Sequence, residues 1–214
     1  TLAGQGGASG TMFETAAFVE GRLVSNLRSA PETQSVYGSS IINGRIINSG
    51  RVFHMRNFNL GCSIQGVEAI DCRQFGLFER CFYLKLENCS NRGMNDGVSF
   101  AFHFREETNN VSLNQVSATK DRGFLFEGGG AAVSMQTCSF EGGSIAVKVI
   151  GDLIGLSVQT CYFEAVTETV FDLSEVGILF WSVASNYFNY TNCVVDDGGT
   201  GKAQIYGVWE ASNA

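Results

Sequence analysis

Val133-Ser-Met-Gln-Thr-Cys-Ser-Phe140 and Leu156-Ser-Val-Gln-Thr-Cys-Tyr-Phe163 are two copies of one pattern, 23 residues apart and aligned without a gap. In each, three residues alternate apolar, polar, apolar, the mark of a strand with one buried face. Two polar residues follow as a bend, and the alternation then resumes. Val111-Ser-Leu-Asn-Gln-Val-Ser-Ala118 and Trp181-Ser-Val-Ala-Ser-Asn-Tyr-Phe188 add a copy on each side, at spacings of 22 and 25. Leu84-Lys-Leu-Glu-Asn-Cys-Ser-Asn91 stands 27 residues further upstream, and Phe53-His-Met-Arg-Asn-Phe-Asn-Leu60 reads as a fainter copy.

Stacked, the copies form columns of like residues. One column runs Leu84, Val111, Val133, Leu156, Trp181; a second runs Leu86, Leu113, Met135, Val158, Val183; a third runs Cys89, Val116, Cys138, Cys161, Asn186. A second strand series lies between the first, in Phe100-Ala-Phe102, Phe124-Leu-Phe126, Val147-Lys-Val149 and Phe171-Asp-Leu173, with spacings of 24, 23 and 24. Two series sharing one period describe a chain that returns to the same place on every turn, which is a solenoid. The expectation is an all-β fold, a right-handed parallel β-helix with coils about 4.8 Å apart. The bend residues Asn57, Asn88, Gln115, Thr137, Thr160 and Ser185 are expected to bond to backbone and to one another along the stack.

Three regions follow. Residues 1–38 form an entry segment, in which Glu14–Ser29 is predicted as a short amphipathic helix with Phe18, Leu23, Val24 and Leu27 on one side. Such a helix would cap the open strand edges of the solenoid. Residues 39–192 form the coils, with Ser39–Val52 as a first, irregular one. Residues 193–214 form a C-terminal strand or cap, with Gln204–Trp209 as its strand.

Composition agrees. The 214 residues are 44% hydrophobic and 16% charged, which excludes a disordered chain. There are 26 Gly but 1 Pro, a balance suited to many turns and long ladders, since proline cannot donate to a ladder. The 17 Phe suit an elongated core of stacked rings. A formal charge of −7 argues against a nucleic-acid partner. No apolar run is long enough to cross a bilayer, so membrane insertion is not expected. The seven Cys are odd in number and form no CxxC, so they read as reduced, buried small hydrophobes rather than a disulfide framework or metal site. No cofactor is implied. A start without Met or a secretory signal reads as a processed chain or a fragment.

The irregular coil lengths, the Asn/Gln/Thr bends and Ile41-Ile-Asn-Gly-Arg-Ile46 resemble the pectin-lyase-like parallel β-helix superfamily, and within it the bacteriophage tailspike proteins. The resemblance covers about residues 40–190 and includes no diagnostic catalytic motif. It implies a homotrimer, made in the bacterial cytoplasm and carried on the virion, that recognises O-antigen or capsule and often cleaves it as an endoglycosidase or lyase. Unpaired cysteines and the lack of a calcium-binding carboxylate cluster set the chain apart from secreted pectate lyases. Fold alone does not establish an activity.

Candidate chemistry follows from stacking. Glycoside hydrolysis needs two carboxylates about 5–9.5 Å apart. Glu141 and Glu164 are one period apart and should lie one over the other. Asp121 and Glu127 flank Phe124–Phe126 and are expected to complete a cleft with Glu141. A lyase needs a base with cationic help for a uronate, and His103-Phe-Arg105 is the cluster that offers both. Sugar binding needs exposed aromatics beside polar groups. Tyr162 and Tyr187 share one outward position on adjacent coils, beside Ser157 and Ser182. The same tyrosines would also suit subunit packing. Three readings stay open: a trimeric spike that binds polysaccharide, with or without depolymerising it, a non-enzymatic structural or adhesive β-helix, and a monomeric polysaccharide lyase or hydrolase.

Overall fold

The computed structural model describes residues 37–198. Of the strands placed outside that span, Gln204–Asn213 pairs in parallel with the last coil. The helix expected over Glu14–Ser29 lies outside the described residues. Within them the chain is a parallel β-solenoid of about seven turns.

Each coil has four sides. In one coil, side A is Ser112–Asn114, side B is Ser117–Thr119 and side C is Arg122–Glu127. Side D opens the strand Gly130–Gln136, which runs on into side A of the next coil. Short sides A and B alternate inward and outward residues, and side C carries most of the phenylalanines.

The corners explain the polar bends. Each A–B corner is one residue with left-handed backbone: Asn43, Gly66, Asn88, Gln115, Thr137, Thr160 and Ser185 have φ between 51 and 62°. Such a turn aims the corner amide at the next coil. Asn88 N–H donates to the Asn114 carbonyl at 3.0 Å, Gln115 to Gln136 at 3.0 Å and Thr137 to Gln159 at 3.1 Å. Asn tolerates this conformation and Gly adopts it freely, whereas a β-branched Thr is strained there. The side-chain ladder expected along these bends is nearly absent among the described residues: Thr137 and Asn114 meet only at 3.5 Å. Asn57 turns at a different corner, between sides C and D, and its amide donates to the Glu79 carbonyl.

The cysteines fill the inside of the corners. Cys89, Cys138 and Cys161 each follow an A–B corner residue and point inward. Cys89 Sγ donates to the carbonyls of Glu87 and Ile64, both at 3.3 Å, and Cys138 to Leu113 at 3.4 Å. Asn186 takes the same place in the next coil, donating to the Val158 carbonyl and accepting the Cys161 amide. All seven cysteines are free and six are buried. Burial pushes the Cys81 thiol, at a C–D corner, up to about 12.

The expected columns stand in register. Val133 pairs with Leu156 and Leu156 with Trp181; Leu86, Leu113, Met135, Val158 and Val183 form the next column. The Phe53 copy is misplaced: Phe53 faces Gly76 on side C, and the residue over Leu86 is Ile64. Ser40–Ile47, within the segment expected to be an irregular coil, supplies sides A and B and pairs in register with Ser63–Ile70. Side C carries the ring stack. Phe102 lies 5.1 Å from Phe124, and Phe104 lies 5.2 Å from Phe126, both within 14° of parallel. Trp181 is core, edge-on to Phe171.

Candidate functional site

The outward positions of sides A and B form one surface over the four coils from Ser112 to Asn189. Serines 112, 134, 157 and 182 make its first column, and Asn114, Gln136, Gln159 and Ala184 its second. The corner residues follow. The third outward column runs Ser90, Ser117, Ser139, Tyr162, Tyr187, and the fourth Arg92, Thr119, Glu141, Glu164, Asn189. Across these four coils the outward side chains are hydroxyls, amides, one Ala, two tyrosines and two glutamates.

The third column contains a step. Ser117 and Ser139 are small, and Tyr162 and Tyr187 then rise beside them. The two rings are parallel within 3° at a centroid distance of 5.2 Å. One face of Tyr162 is therefore covered by Tyr187. Its other face looks across Ser139, which is too short to cover it. Such a ring face beside hydroxyls suits a pyranose, which offers an apolar face and a rim of hydroxyls.

Two of the expected carboxylates stand beside this step. Glu141 and Glu164 are direct register partners, so their backbones are one coil apart, about 4.8 Å. Glu164 is held on both oxygens: Tyr162 Oη donates to Oε2 at 2.6 Å and Asn189 Nδ2 to Oε1 at 2.8 Å. The bond to Glu164 raises the Tyr162 phenol above its ordinary value. Glu141 is exposed, and its carboxylate makes no hydrogen bond or ion pair among the described residues. One carboxylate is thus fixed as an acceptor and its neighbour is open to a ligand.

The other expected site residues lie elsewhere. Asp121 is buried just past the B–C corner, and its Oδ1 accepts the Asp96 amide at 2.8 Å. Burial, with Asp96 nearby, raises its carboxyl. It packs so closely on Gly93 that a Cβ there would fall 1.7 Å from Oδ2. Asp121 therefore anchors the segment after Gly93. Glu127 lies at the far end of strand Arg122–Glu127, about 20 Å along the chain from Asp121. The cleft expected from Asp121, Glu127 and Glu141 is not formed.

His103, Arg105 and Glu127 come together on the outer face of side C. His103 Nε2 meets Glu127 Oε2 at 2.7 Å, and burial lowers the His103 pKa against the opposing pull of that carboxylate. Arg105 is engaged by Glu79, whose side chain is fully buried and also meets His54 at 2.8 Å and Arg56 at 3.8 Å. Burial opposes ionisation of Glu79, but the bonds from His54 and Arg105 outweigh it and hold its pKa at about 2. Sequence reasoning missed Glu79; its signal was a carboxylate on an outward position between Arg56 and Arg105 of the flanking coils.

Two further features border the surface. A shallow groove of about 240 Å³ runs along the D–A edge beside Tyr83, Asn110, Ser112 and Ser134. On side D, Ile154 and Phe180 are register partners and both exposed, with Ile178 beside them. No group of three or more His, Cys, Asp or Glu able to hold a metal occurs among the described residues. No family model, curated protein or solved structure matches the chain, so the reading of this surface rests on its own geometry.

Proposed function

We propose that the chain is part of a bacteriophage tailspike-type receptor-binding protein, a right-handed β-helix that recognises bacterial surface polysaccharide. The observation that carries the reading is the uncharged hydroxyl and amide surface of sides A and B meeting the Tyr162 ring face and the Glu141–Glu164 pair. A sugar on Tyr162 would present its hydroxyls to Ser117, Ser139 and Glu141. If the site also cleaves, the one-coil spacing matches the retaining arrangement, in which carboxylates stand about 5–5.5 Å apart. Glu164, fixed as an acceptor, then suits the nucleophile, and Glu141 the acid. The exposed Ile154, Ile178 and Phe180 supply an apolar strip for contact between copies of a homotrimer. Assembly on a virion, after synthesis in the bacterial cytoplasm, belongs to the same proposal.

The test is incubation with purified O-antigen and capsule, with binding and product size both measured. Tyr162→Ala should abolish binding, and Glu164→Gln should abolish any cleavage while the chain stays folded. Binding that survives Tyr162→Ala would remove the site. Retention of polysaccharide without fragments would favour the adhesive, non-enzymatic β-helix. Sedimentation at micromolar concentration tests the trimer.

A further inference from the structure

We infer that the surface of sides A and B selects neutral glycans and rejects acidic ones, an inference that rests on the saccharide reading above. Across the four coils from Ser112 to Asn189 the outward positions of these sides contain no Lys, Arg or His. Their two charges, Glu141 and Glu164, are both negative and in register on adjacent coils.

No outward strand position of these sides in the four coils offers a cation to receive a sugar carboxylate. Glu164 accepts hydrogen bonds from Tyr162 and Asn189, both uncharged donors, so neither partner offsets its charge. Lys85, Arg92 and Lys120 belong to the rim of the surface rather than to its outward strand positions. Lys85 and Arg92 belong to the coil before the array, in register with Ser112 and Thr119. Lys120 sits on the B–C corner past Thr119, its amide donating to the Glu141 carbonyl at 3.0 Å, so it is the nearest cation to the pair and sets a limit on the repulsion. A pyranose stacked on the open face of Tyr162 would place its substituents toward Glu141. A uronate or sialate carboxylate there meets like charge at close range. A hydroxyl or N-acetyl group meets an acceptor and a row of hydroxyl donors. Serine hydroxyls both donate and accept, so a neutral sugar finds a partner in either sense.

The test is binding of the whole chain to immobilised polysaccharides of known charge. The probes are neutral mannan, galactan and chitin oligosaccharides, with alginate, hyaluronan and polysialic acid as the acidic set. At low ionic strength the acidic set should bind at least about tenfold more weakly than the best neutral probe, and added salt should narrow the gap. Glu141→Lys should strengthen acidic binding, and Glu141→Gln should do so to a smaller degree if charge reversal disturbs the fold. Acidic probes held as tightly as neutral ones, with both lost in Tyr162→Ala, would overturn the charge selection and leave the saccharide reading standing. Acidic binding unmoved by either Glu141 variant would also overturn it. Retention of no probe, or retention indifferent to Tyr162→Ala, would overturn the saccharide reading itself.

Discussion

The outer faces of side C and of sides A and B are built from the same alternating strands, yet they use their polar groups in opposite ways. On side C nearly every charge has found a protein partner. Glu79 is shared by His54, Arg56 and Arg105, and Lys148 is held by Asp172 at 2.9 Å and Glu175 at 2.7 Å. Leu77 and Leu125 interleave with these charges and are buried. On sides A and B the hydroxyls and amides mostly face outward with capacity to spare. A face that satisfies itself adds stability, whereas a face that leaves its donors and acceptors open is available to a ligand. Polar content alone therefore does not mark a site. The number of internal partners does.

The comparison breaks most visibly at Glu79. Removing it in Glu79→Ala leaves Arg105, Arg56 and His54 without their shared carboxylate, and unfolding stability should fall by about 3 kcal/mol, the lower part of the range for a broken buried pair because the two arginines can turn to solvent. Urea denaturation measures this. A loss below about 1 kcal/mol would mean that side C is not held by its charges. Glu164→Gln, by contrast, should cost less than about 1 kcal/mol, because its partners are exposed or half-buried.

Acid should separate the faces further. The Glu79 carboxyl ionises near 2 in the folded chain against 4.5 ordinarily, so its contribution is fully present above about pH 4.5 and is lost as pH falls toward 2. Stability measured across that window should fall more steeply in the wild type than in Glu79→Gln. Equal slopes would place the acid sensitivity elsewhere.

The smallest expected effect is at a corner. Thr160 has φ of 51°, a strained setting for a β-branched residue. Thr160→Asn should raise stability by about 0.5–1 kcal/mol without loss of glycan binding, read as an upward shift in Tm. A lower Tm would show that the Thr160 methyl packs usefully on this surface.

The stack of sides A and B was legible in the sequence because coils of 22 to 25 residues keep like over like. Leu156, Trp181, Tyr162 and Glu164 could all be placed by counting. Phe53 was misread because its apolar–polar–apolar triplet satisfies side A and side C equally, and only pairing with Gly76 decides between them. The Glu79 cluster was missed for a related reason, although its Arg56 and Arg105 neighbours gave a signal. His54 lies 25 residues before Glu79 and Arg105 lies 26 after it, and the coil between contains the Met94–Ser99 segment, which displaces any fixed-period count. Asp121 looked like an active-site acid until burial and the Asp96 amide gave it a structural task.

The left-handed corners have a consequence for how such a molecule can change length. The corner amides of Asn88, Gln115, Thr137 and Thr160 bond to the coil beyond, and they do so through backbone, whatever the side chain. A duplicated segment such as 134–156 would therefore present, at both junctions, the donors and acceptors that its neighbours already expect. Leu156 would simply stand where Val133 stood, as it does across the existing stack. The molecule is modular at the grain of one coil, so a longer or shorter ruler can arise by copying or deleting whole turns, with no new junction to invent.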